Sequence, residues 1–129
     1  VSDVIIISVP LNESTKHTFD QQLFNRMKNK YLINVGRGNV IDEDSLYDAL
    51  ISDKLRGFAS DVWYNNPKEK EKCFPSKNMI HELPNVVMSN HSGGYTLTTN
   101  EEVNTDIINT LKKIKEENFE DQLDLKDLL

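Results

Sequence analysis

The stretch INVGRGNVIDEDSLYDALISDKL, residues 33–55, decides the fold because a glycine-rich turn in it joins an apolar run to a helix pattern. The run Tyr31–Val35 predicts a buried strand that ends in Gly36-Arg37-Gly38. A charged side chain is costly in a core, so Arg37 is expected either to reach solvent after a plain turn or to meet an anion. The flanking glycines are expected to give such an anion room to approach the backbone.

The second half of this stretch predicts a capped amphipathic helix. Asp42 is expected to cap the helix, because its side chain can accept a hydrogen bond from a free backbone N–H of the first turn. Leu46, Ala49 and Leu50 share one face and are expected to be buried. Gly57, after two basic residues, is interpreted as a helix C-terminal signal.

Outward from this stretch, strand and helix patterns alternate. Apolar runs predict strands at Val4–Val9, 58–62 and 85–89. A helix pattern follows Asp20, the expected N-cap, and is predicted to bury Leu23, Phe24 and Met27. A further helix pattern covers residues 97–117, with apolar residues at spacings of three and four, namely Val103, Ile107, Ile108, Leu111 and Ile114. This alternation predicts an α/β protein with a partial Rossmann-type, doubly wound parallel sheet. Because the chain opens almost directly on a strand, the N-terminal half of the sheet is expected to lie outside it.

Composition narrows the class of partner. The net charge is −6 and the pI is about 5.0, which argues against nucleic acid or an anionic membrane as partner, because both attract basic surfaces. Cys73 is the single cysteine, which suits a cytoplasmic protein without a disulfide. The three histidines lack metal-ligand spacing, so no metal site is expected, and His17 and His81 are interpreted as surface residues.

Residues with useful chemistry follow the predicted strands, at the edge where parallel α/β sheets bind ligands. The guanidinium of Arg37 can hold a carboxylate through two parallel hydrogen bonds. The imidazole of His91 can give or take a proton near neutral pH, although for a histidine taken alone a loop residue hydrogen-bonded to the backbone is the more common case. Asp61 could hold a ribose hydroxyl, a cationic ring or a backbone amide, or act only as a structural cap.

Four segments occur in the order that is typical of one enzyme family. The segments are SDVIIISVPLNEST (2–15), MKNKYLINVGRGNVIDEDSLYDAL (27–50), LRGFASDVW (55–63) and LPNVVMSNHSGGYT (83–96). Together they resemble the C-terminal half of the NAD-binding domain of the D-isomer-specific 2-hydroxyacid dehydrogenases, which include phosphoglycerate dehydrogenase and glyoxylate/hydroxypyruvate reductase. The resemblance assigns residues 1–110 to that domain and residues 111–129 to a helix and tail that lead towards a substrate domain.

The resemblance implies a fragment of an NAD-dependent oxidoreductase that transfers a hydride between the cofactor and a small D-2-hydroxy or 2-keto acid. Arg37 would bind the substrate carboxylate, His91 would be the general acid of ketone reduction, and Asp61 would lie near the carboxamide of NAD. The positions implied to bind the cofactor are Val9, Pro10, Val35, Gly36, Arg37, Asp61, His91 and Gly93.

Two departures from the family pattern bear on activity. Asn66 stands where the family usually has a glutamate that pairs with the histidine, so it is a catalytic candidate that adds no charge. The pH optimum for reduction is therefore expected to be lower than in a glutamate-containing relative. The chain also lacks a Gly-x-Gly-x-x-Gly segment, which in such folds cradles the pyrophosphate, so the chain alone is expected to be inactive.

Other functions remain open at this point. The same fold serves elsewhere as a non-catalytic NAD(H)-sensing corepressor, and the missing glutamate modestly favours that reading. A remnant that acts only as a dimerisation module is a third possibility, because the family dimerises through this domain. The resemblance also implies a homodimer for the full-length protein.

Overall fold

The computed structural model describes residues 2–67, 72–95 and 98–115. The strands are β1 (Val4–Ile7), β2 (Lys30–Asn34), β3 (Leu55–Ser60) and β4 (Val86–Met88), and the helices are α1 (Gln21–Phe24), α2 (Glu43–Ile51) and α3 (Thr99–Lys115). Short 3-10 helices cover Gly38–Val40 and Ile80–Glu82. The chain divides into two compact units, residues 1–93 and 94–129, while the domain boundary expected near residue 110 stays a prediction.

The first unit contains a four-stranded sheet in the order β1-β2-β3-β4, and every neighbouring pair is parallel. This confirms the predicted α/β class and parallel sheet. The predicted strand ends were less accurate, since β1 stops at Ile7 rather than Val9. The backbone N–H of Val35 donates to the carbonyl of Ile7 at 2.9 Å, and beyond this bond the two chains leave the sheet.

One face of the sheet carries the core. The side chains of Ile7, Leu32 and Phe58 alternate with outward-facing residues and pack beneath α1 and α2. Of the residues predicted to be buried by the helices, Phe24, Met27, Leu46, Ala49 and Leu50 are buried, whereas Leu23 is half-buried. Burial of these apolar surfaces is the main force that holds the helices on the sheet.

Both predicted helix caps are confirmed. The Asp20 carboxylate accepts from the Leu23 N–H at 2.9 Å and begins α1. The Asp42 carboxylate accepts from the N–H of Ser45 at 2.9 Å and from its hydroxyl at 2.5 Å, and so begins α2. These two bonds lower the pKa of Asp42, the side-chain bond being the larger cause.

The interpretation of Gly57 as a helix C-terminal signal is wrong. Helix α2 ends at Ile51, and the chain reverses through Asp53, whose φ is 54°. Gly57 lies inside β3, where an added Cβ would be 3.2 Å from the ring of Tyr31. The glycine therefore makes room for an aromatic ring on the neighbouring strand. The residues next to Gly57 in the sequence give no sign of this requirement.

The opposite face of the sheet is apolar and exposed. It presents Val4, Ile6, Tyr31 and Val87, whose exposed fractions range from 41% to 71%. Strands with apolar residues on both faces are typical of parallel sheets that are covered on both sides. Within the described residues of the first unit, the layer of helices covers one side only.

The second unit contains α3, which confirms the helix predicted near residues 97–117. Its apolar positions Val103, Ile107, Ile108 and Leu111 follow spacings of three and four and are exposed. Ile114, also expected on this stripe, lies outside the residues whose side chains are described. Among the described helices, none is long and apolar enough to cross a membrane.

Gly38 is expected to be the most sensitive glycine for folding. In Gly38→Ala the new Cβ would overlap the backbone carbonyl of Trp63, which cannot rotate away as a side chain can. We expect the free energy of unfolding to fall by about 1–3 kcal/mol, the usual cost of overpacking. Urea unfolding of the chain measures this, with Gly57→Ala as a matched control. Its effect should be smaller because the new Cβ would lie 3.2 Å from the Tyr31 ring and 3.3 Å from the backbone oxygen of Asn85, both farther than the Trp63 backbone is from a Cβ on Gly38. Equal losses in the two variants would contradict the explanation.

Candidate active site

The carboxyl ends of the four parallel strands open into two clefts. The first, which we call the Arg37 cleft, has a volume of about 560 Å³ and is lined by Ser8, Val9, Pro10, Leu11, Val35, Gly36 and Arg37. The second, the His91 cleft, has a volume of about 300 Å³ and is lined by Trp63, Asn65, Asn66, Pro67, Cys73, Pro75, Met88, Ser89, Asn90 and His91. Both clefts lie where ligands bind in open α/β sheets.

The turn that presents Arg37 is fixed by Asn34, a residue that the sequence analysis missed. Asn34 is 1% exposed, and its side-chain oxygen accepts from the Gly36 N–H at 3.0 Å. Its side-chain nitrogen donates to the carbonyl of Arg37 at 3.1 Å. A buried side-chain amide that forms hydrogen bonds with two backbone groups of a turn holds the turn rigid. An asparagine at the end of an apolar strand was the available signal.

The glycines around Arg37 have a packing role that the sequence did not reveal. A Cβ on Gly36 would lie 2.6 Å from the carbonyl oxygen of Val9, and one on Gly38 would overlap the backbone of Trp63. The space beside both glycines is therefore filled by the protein's own backbone. Close chain packing therefore already requires glycine at both positions, and the expectation that they also give an anion room to approach the backbone stays a prediction.

Arg37 itself is exposed at the edge of its cleft. Its Nη1 donates to the carbonyl of Gly36 at 2.8 Å, which holds the side chain near the turn. A guanidinium has five N–H donors, and this bond occupies one of them. Donors thus remain for a second partner, which suits the predicted role of binding an anion.

His91 follows β4 and has a left-handed backbone with a φ of 55°. Residues other than glycine adopt this conformation infrequently, although histidine is among those that tolerate it best. His91 and Asn66 are both exposed and line the same cleft. The hydrogen bonds of the described residues do not join these two side chains, so the pairing considered from the sequence is not formed.

Asp61 is the most highly connected of the predicted site residues. One carboxylate oxygen, Oδ1, accepts from the Ser89 hydroxyl at 2.5 Å and from the Ser92 N–H at 3.0 Å. The other, Oδ2, accepts from the Gly93 N–H at 2.9 Å. The Ser89 bond and then the Gly93 bond lower the pKa of Asp61, with a smaller contribution from the charge of His91. Asp61 is therefore a carboxylate at neutral pH.

The aromatic residues near the His91 cleft belong to the core as well as to its wall. Trp63 is buried, and its indole N–H donates to the carbonyl of Ser89 at 3.2 Å. The ring of His81 packs edge-on against Trp63 and stacks with Phe74 at centroid distances of 6.3 and 6.4 Å. The prediction that His81 is a surface residue is wrong, whereas His17 is exposed as predicted.

The predicted site residues fall into two groups. Val9, Pro10, Val35, Gly36 and Arg37 share the Arg37 cleft, whereas Asn66 and His91 share the His91 cleft, and Asp61 and Gly93 are bonded together beside His91. That a single ligand spans both clefts stays a prediction. Among the described residues, no group of three or more histidine, cysteine or acidic side chains could hold a metal ion.

Residues 1–93 match the family model of the D-isomer specific 2-hydroxyacid dehydrogenase, NAD binding domain. The chain belongs to this family. Glyoxylate/hydroxypyruvate reductase A of Arabidopsis thaliana is 37% identical over 99 residues, which are 76% of this chain and 29% of that protein. D-3-phosphoglycerate dehydrogenase of Escherichia coli K12 is 36% identical over 114 residues, which are 88% of this chain and 27% of that protein.

Solved structures of dehydrogenases agree with this membership. The NAD-dependent formate dehydrogenase of Staphylococcus aureus, solved in complex with NAD, is 31% identical with a TM-score of 0.68 over 91% of this chain and 34% of that one. The apo D-mandelate dehydrogenase of Rhodotorula graminis is 32% identical with a TM-score of 0.73, over 87% of this chain and 31% of that one. The chain thus spans about a third or less of these family members.

Proposed function

We propose that the protein containing this chain is an NAD-dependent oxidoreductase that transfers a hydride between the nicotinamide and a small D-2-hydroxy or 2-keto acid. One observation supports the proposal: in the segment that matches the family, Arg37 and His91 both follow strands at the carboxyl edge of one parallel sheet. An arginine is suited to binding an anion and a histidine to carrying a proton. Each lies three residues after the end of its strand, and each lines an open cleft.

Arg37 binds the carboxylate of the substrate in this proposal. A guanidinium matches the two oxygens of a carboxylate through paired hydrogen bonds, and its remaining donors can also reach the neighbouring carbonyl oxygen. As the carbonyl becomes an alkoxide, the positive charge stabilises the developing negative charge. The hydrogen bond from Nη1 to the carbonyl of Gly36 reduces the number of conformations that this long side chain samples.

His91 acts as the general acid when the ketone is reduced and as the general base when the alcohol is oxidised. An imidazole can hold or release a proton near neutral pH, which suits both directions. The wall formed by Trp63 and Pro75 keeps one side of its cleft apolar. Exclusion of water from that side strengthens the electrostatic contacts of the reacting groups.

The residues of the Arg37 cleft fit the nicotinamide end of NAD. Val9 and Val35 present exposed apolar surface, 42% and 52% respectively, which suits one face of a flat ring. Asp61 accepts three hydrogen bonds, and a carboxylate has about four acceptor positions, so one remains for a carboxamide N–H. NAD supplies or accepts the hydride when bound, and the protein provides orientation and charge.

A turnover assay tests the proposal. The longer protein that contains this chain is incubated with NADH and, separately, with glyoxylate, hydroxypyruvate and other 2-keto acids, and NADH loss is followed by absorbance. We expect saturable oxidation of NADH with at least one of these acids. NADH binding without turnover of any of them would contradict the proposal and favour the NAD(H)-sensing corepressor reading.

Asn66 offers a prediction about pH dependence. In Asn66→Glu a carboxylate joins His91 in its cleft and stabilises the protonated imidazole. Reduction needs that protonated form, so the pH above which the reduction rate declines should rise by about one unit. Asn25→Glu, an exposed position that follows α1, adds the same charge elsewhere and should leave the profile unchanged. Identical profiles for the two variants would contradict the idea.

A further inference from the structure

We propose that Asp61 is the positioning residue for His91, because its carboxylate fixes the backbone on both sides of the imidazole-bearing residue. This inference rests on the proposed role of His91 as the proton donor. It goes beyond contact of Asp61 with the cofactor, since the carboxylate acts here through the loop formed by residues 89–93. We call this segment the histidine loop.

The bonds of Asp61 bracket His91 in the sequence. Ser89 lies two residues before it and donates its hydroxyl, whereas Ser92 and Gly93 lie one and two residues after it and donate their N–H groups. The N–H groups of Ser92 and Gly93 both donate to the Asp61 carboxylate. A charged acceptor makes such bonds stronger than a neutral one, so the loop is tied to the end of β3 by charge-assisted bonds.

The left-handed backbone of His91 explains why the histidine loop needs these hydrogen bonds. Its φ of 55° is a conformation that an L residue leaves readily when nothing holds it. The N–H groups of Ser92 and Gly93 follow directly after this bend, and they reach Asp61 because the bend turns them inward. Loss of the carboxylate would free the bend, and the direction of the imidazole would no longer be fixed.

Gly93 is also suited to the attachment of the histidine loop to Asp61. An added Cβ would lie 2.9 Å from Oδ2 of Asp61, closer than Cβ atoms approach an oxygen in proteins. The sequence suggested that Gly93 lets the backbone pass close to the nicotinamide ring. The geometry supplies a second reason, because a Cβ at this position would crowd the carboxylate oxygen to which the Gly93 N–H donates at 2.9 Å.

A purely structural cap is the competing explanation, and the chain contains a matched example of one. Asp42 also accepts from a serine hydroxyl and a backbone N–H, at 2.5 and 2.9 Å, but it begins a helix. Asp42→Asn therefore makes the same chemical change in a similar set of bonds away from the histidine loop. A general loss of stability should affect both variants, whereas a positioning role is specific to Asp61.

The first experiment uses the chain itself and needs no activity. Amide hydrogen exchange is measured by NMR for the wild-type chain, Asp61→Asn and Asp42→Asn. We expect Asp61→Asn to speed exchange at Ser92 or Gly93 at least tenfold, because one of the two carboxylate oxygens becomes an NH2 group that cannot accept a hydrogen bond. Asp42→Asn should speed exchange at Ser45 and leave the histidine loop unchanged. Unchanged exchange at Ser92 and Gly93 in Asp61→Asn would overturn the proposal.

The second experiment uses the longer protein and the variants Ser89→Ala and Ser89→Thr. Loss of the Ser89 hydroxyl should lower kcat about tenfold with an unchanged Kd for NADH, and threonine, which restores a hydroxyl, should rescue kcat. Ser52→Ala removes an exposed serine hydroxyl after α2 and should change neither value. Unchanged kcat in Ser89→Ala, with an active wild type, would overturn the positioning role and leave the proposed function standing. A wild type without turnover would instead count against the proposed function, while amide exchange still decides whether Asp61 holds the loop.

Discussion

Replacement of His91 by glutamine is expected to lower kcat for 2-keto acid reduction about 10²–10⁴-fold, the usual contribution of a positioned general acid. Glutamine keeps a polar side chain of similar reach but cannot deliver a proton at neutral pH. Binding of NADH should persist, because the apolar walls of the Arg37 cleft are untouched. Steady-state kinetics together with a fluorescence titration of NADH separate these two effects.

His17→Gln is the matched control for this experiment. His17 is also exposed and also has a left-handed backbone, with a φ of 52°, but it precedes α1 and is absent from the lining of both clefts. Its replacement should leave kcat within twofold of the wild-type value. Similar losses for the two histidine variants would show that the backbone conformation, rather than the proton, explains the effect at His91.

Arg37→Lys is expected to produce the second large effect, a loss of about 10²–10³ in kcat/KM for the keto acid. Lysine keeps the positive charge but lacks the planar pair of donors that fits a carboxylate and an adjacent carbonyl oxygen. It also cannot reproduce the guanidinium geometry that joins Nη1 to the carbonyl of Gly36. Measurement of kcat/KM over a series of keto acids tests this expectation.

Arg56→Lys provides the comparison for Arg37. The Arg56 guanidinium lies 5.2 Å from the centre of the Tyr31 ring. Arg56 is the second residue of β3 and so lies away from the carboxyl ends of the strands. The charge is conserved in both variants, so a difference between them reports on the shape of the guanidinium at the proposed site. A loss in Arg37→Lys no larger than that in Arg56→Lys would count against substrate binding by Arg37.

Local signals in the sequence predicted much of the fold. Asp20 and Asp42 were predicted as caps because capping joins a side chain to a backbone N–H three residues later, within reach of local reasoning. The buried faces of α1 and α2 followed from the helical repeat alone. The parallel sheet followed from the alternation of strands and helices.

The features that sequence reasoning missed depend on contacts between distant residues. Gly57 follows two basic residues, as at a helix end, yet its surroundings are set by the ring of Tyr31 on the neighbouring strand. His81 looked like a surface residue because the packing of Trp63 and Phe74 around it cannot be derived from its neighbours in the chain. Tertiary packing overrides local propensity at such positions.

The positions of the candidate site residues could be predicted from the sequence, but the hydrogen bonds that join them could not. The ends of parallel strands meet at one edge, so the placement of Arg37 and His91 could be derived from the strand pattern. The bond from Ser89 to Asp61 spans 28 residues, and no spacing rule indicates it. The packing role of the glycines beside Arg37 was missed for the same reason, because the backbone of Val9 and Trp63 that approaches them is distant in sequence.

The central claim is that this chain carries part of the site where hydride passes between NAD and a 2-keto acid. The most direct test incubates the protein that contains this chain with NADH carrying two deuterium atoms at C4 of the nicotinamide and with glyoxylate or hydroxypyruvate, and locates the label by mass spectrometry. The account predicts deuterium at C2 of the hydroxy acid and a strongly reduced yield from His91→Gln at equal occupancy by cofactor. A product without deuterium at C2, or equal yield from the variant, would contradict it.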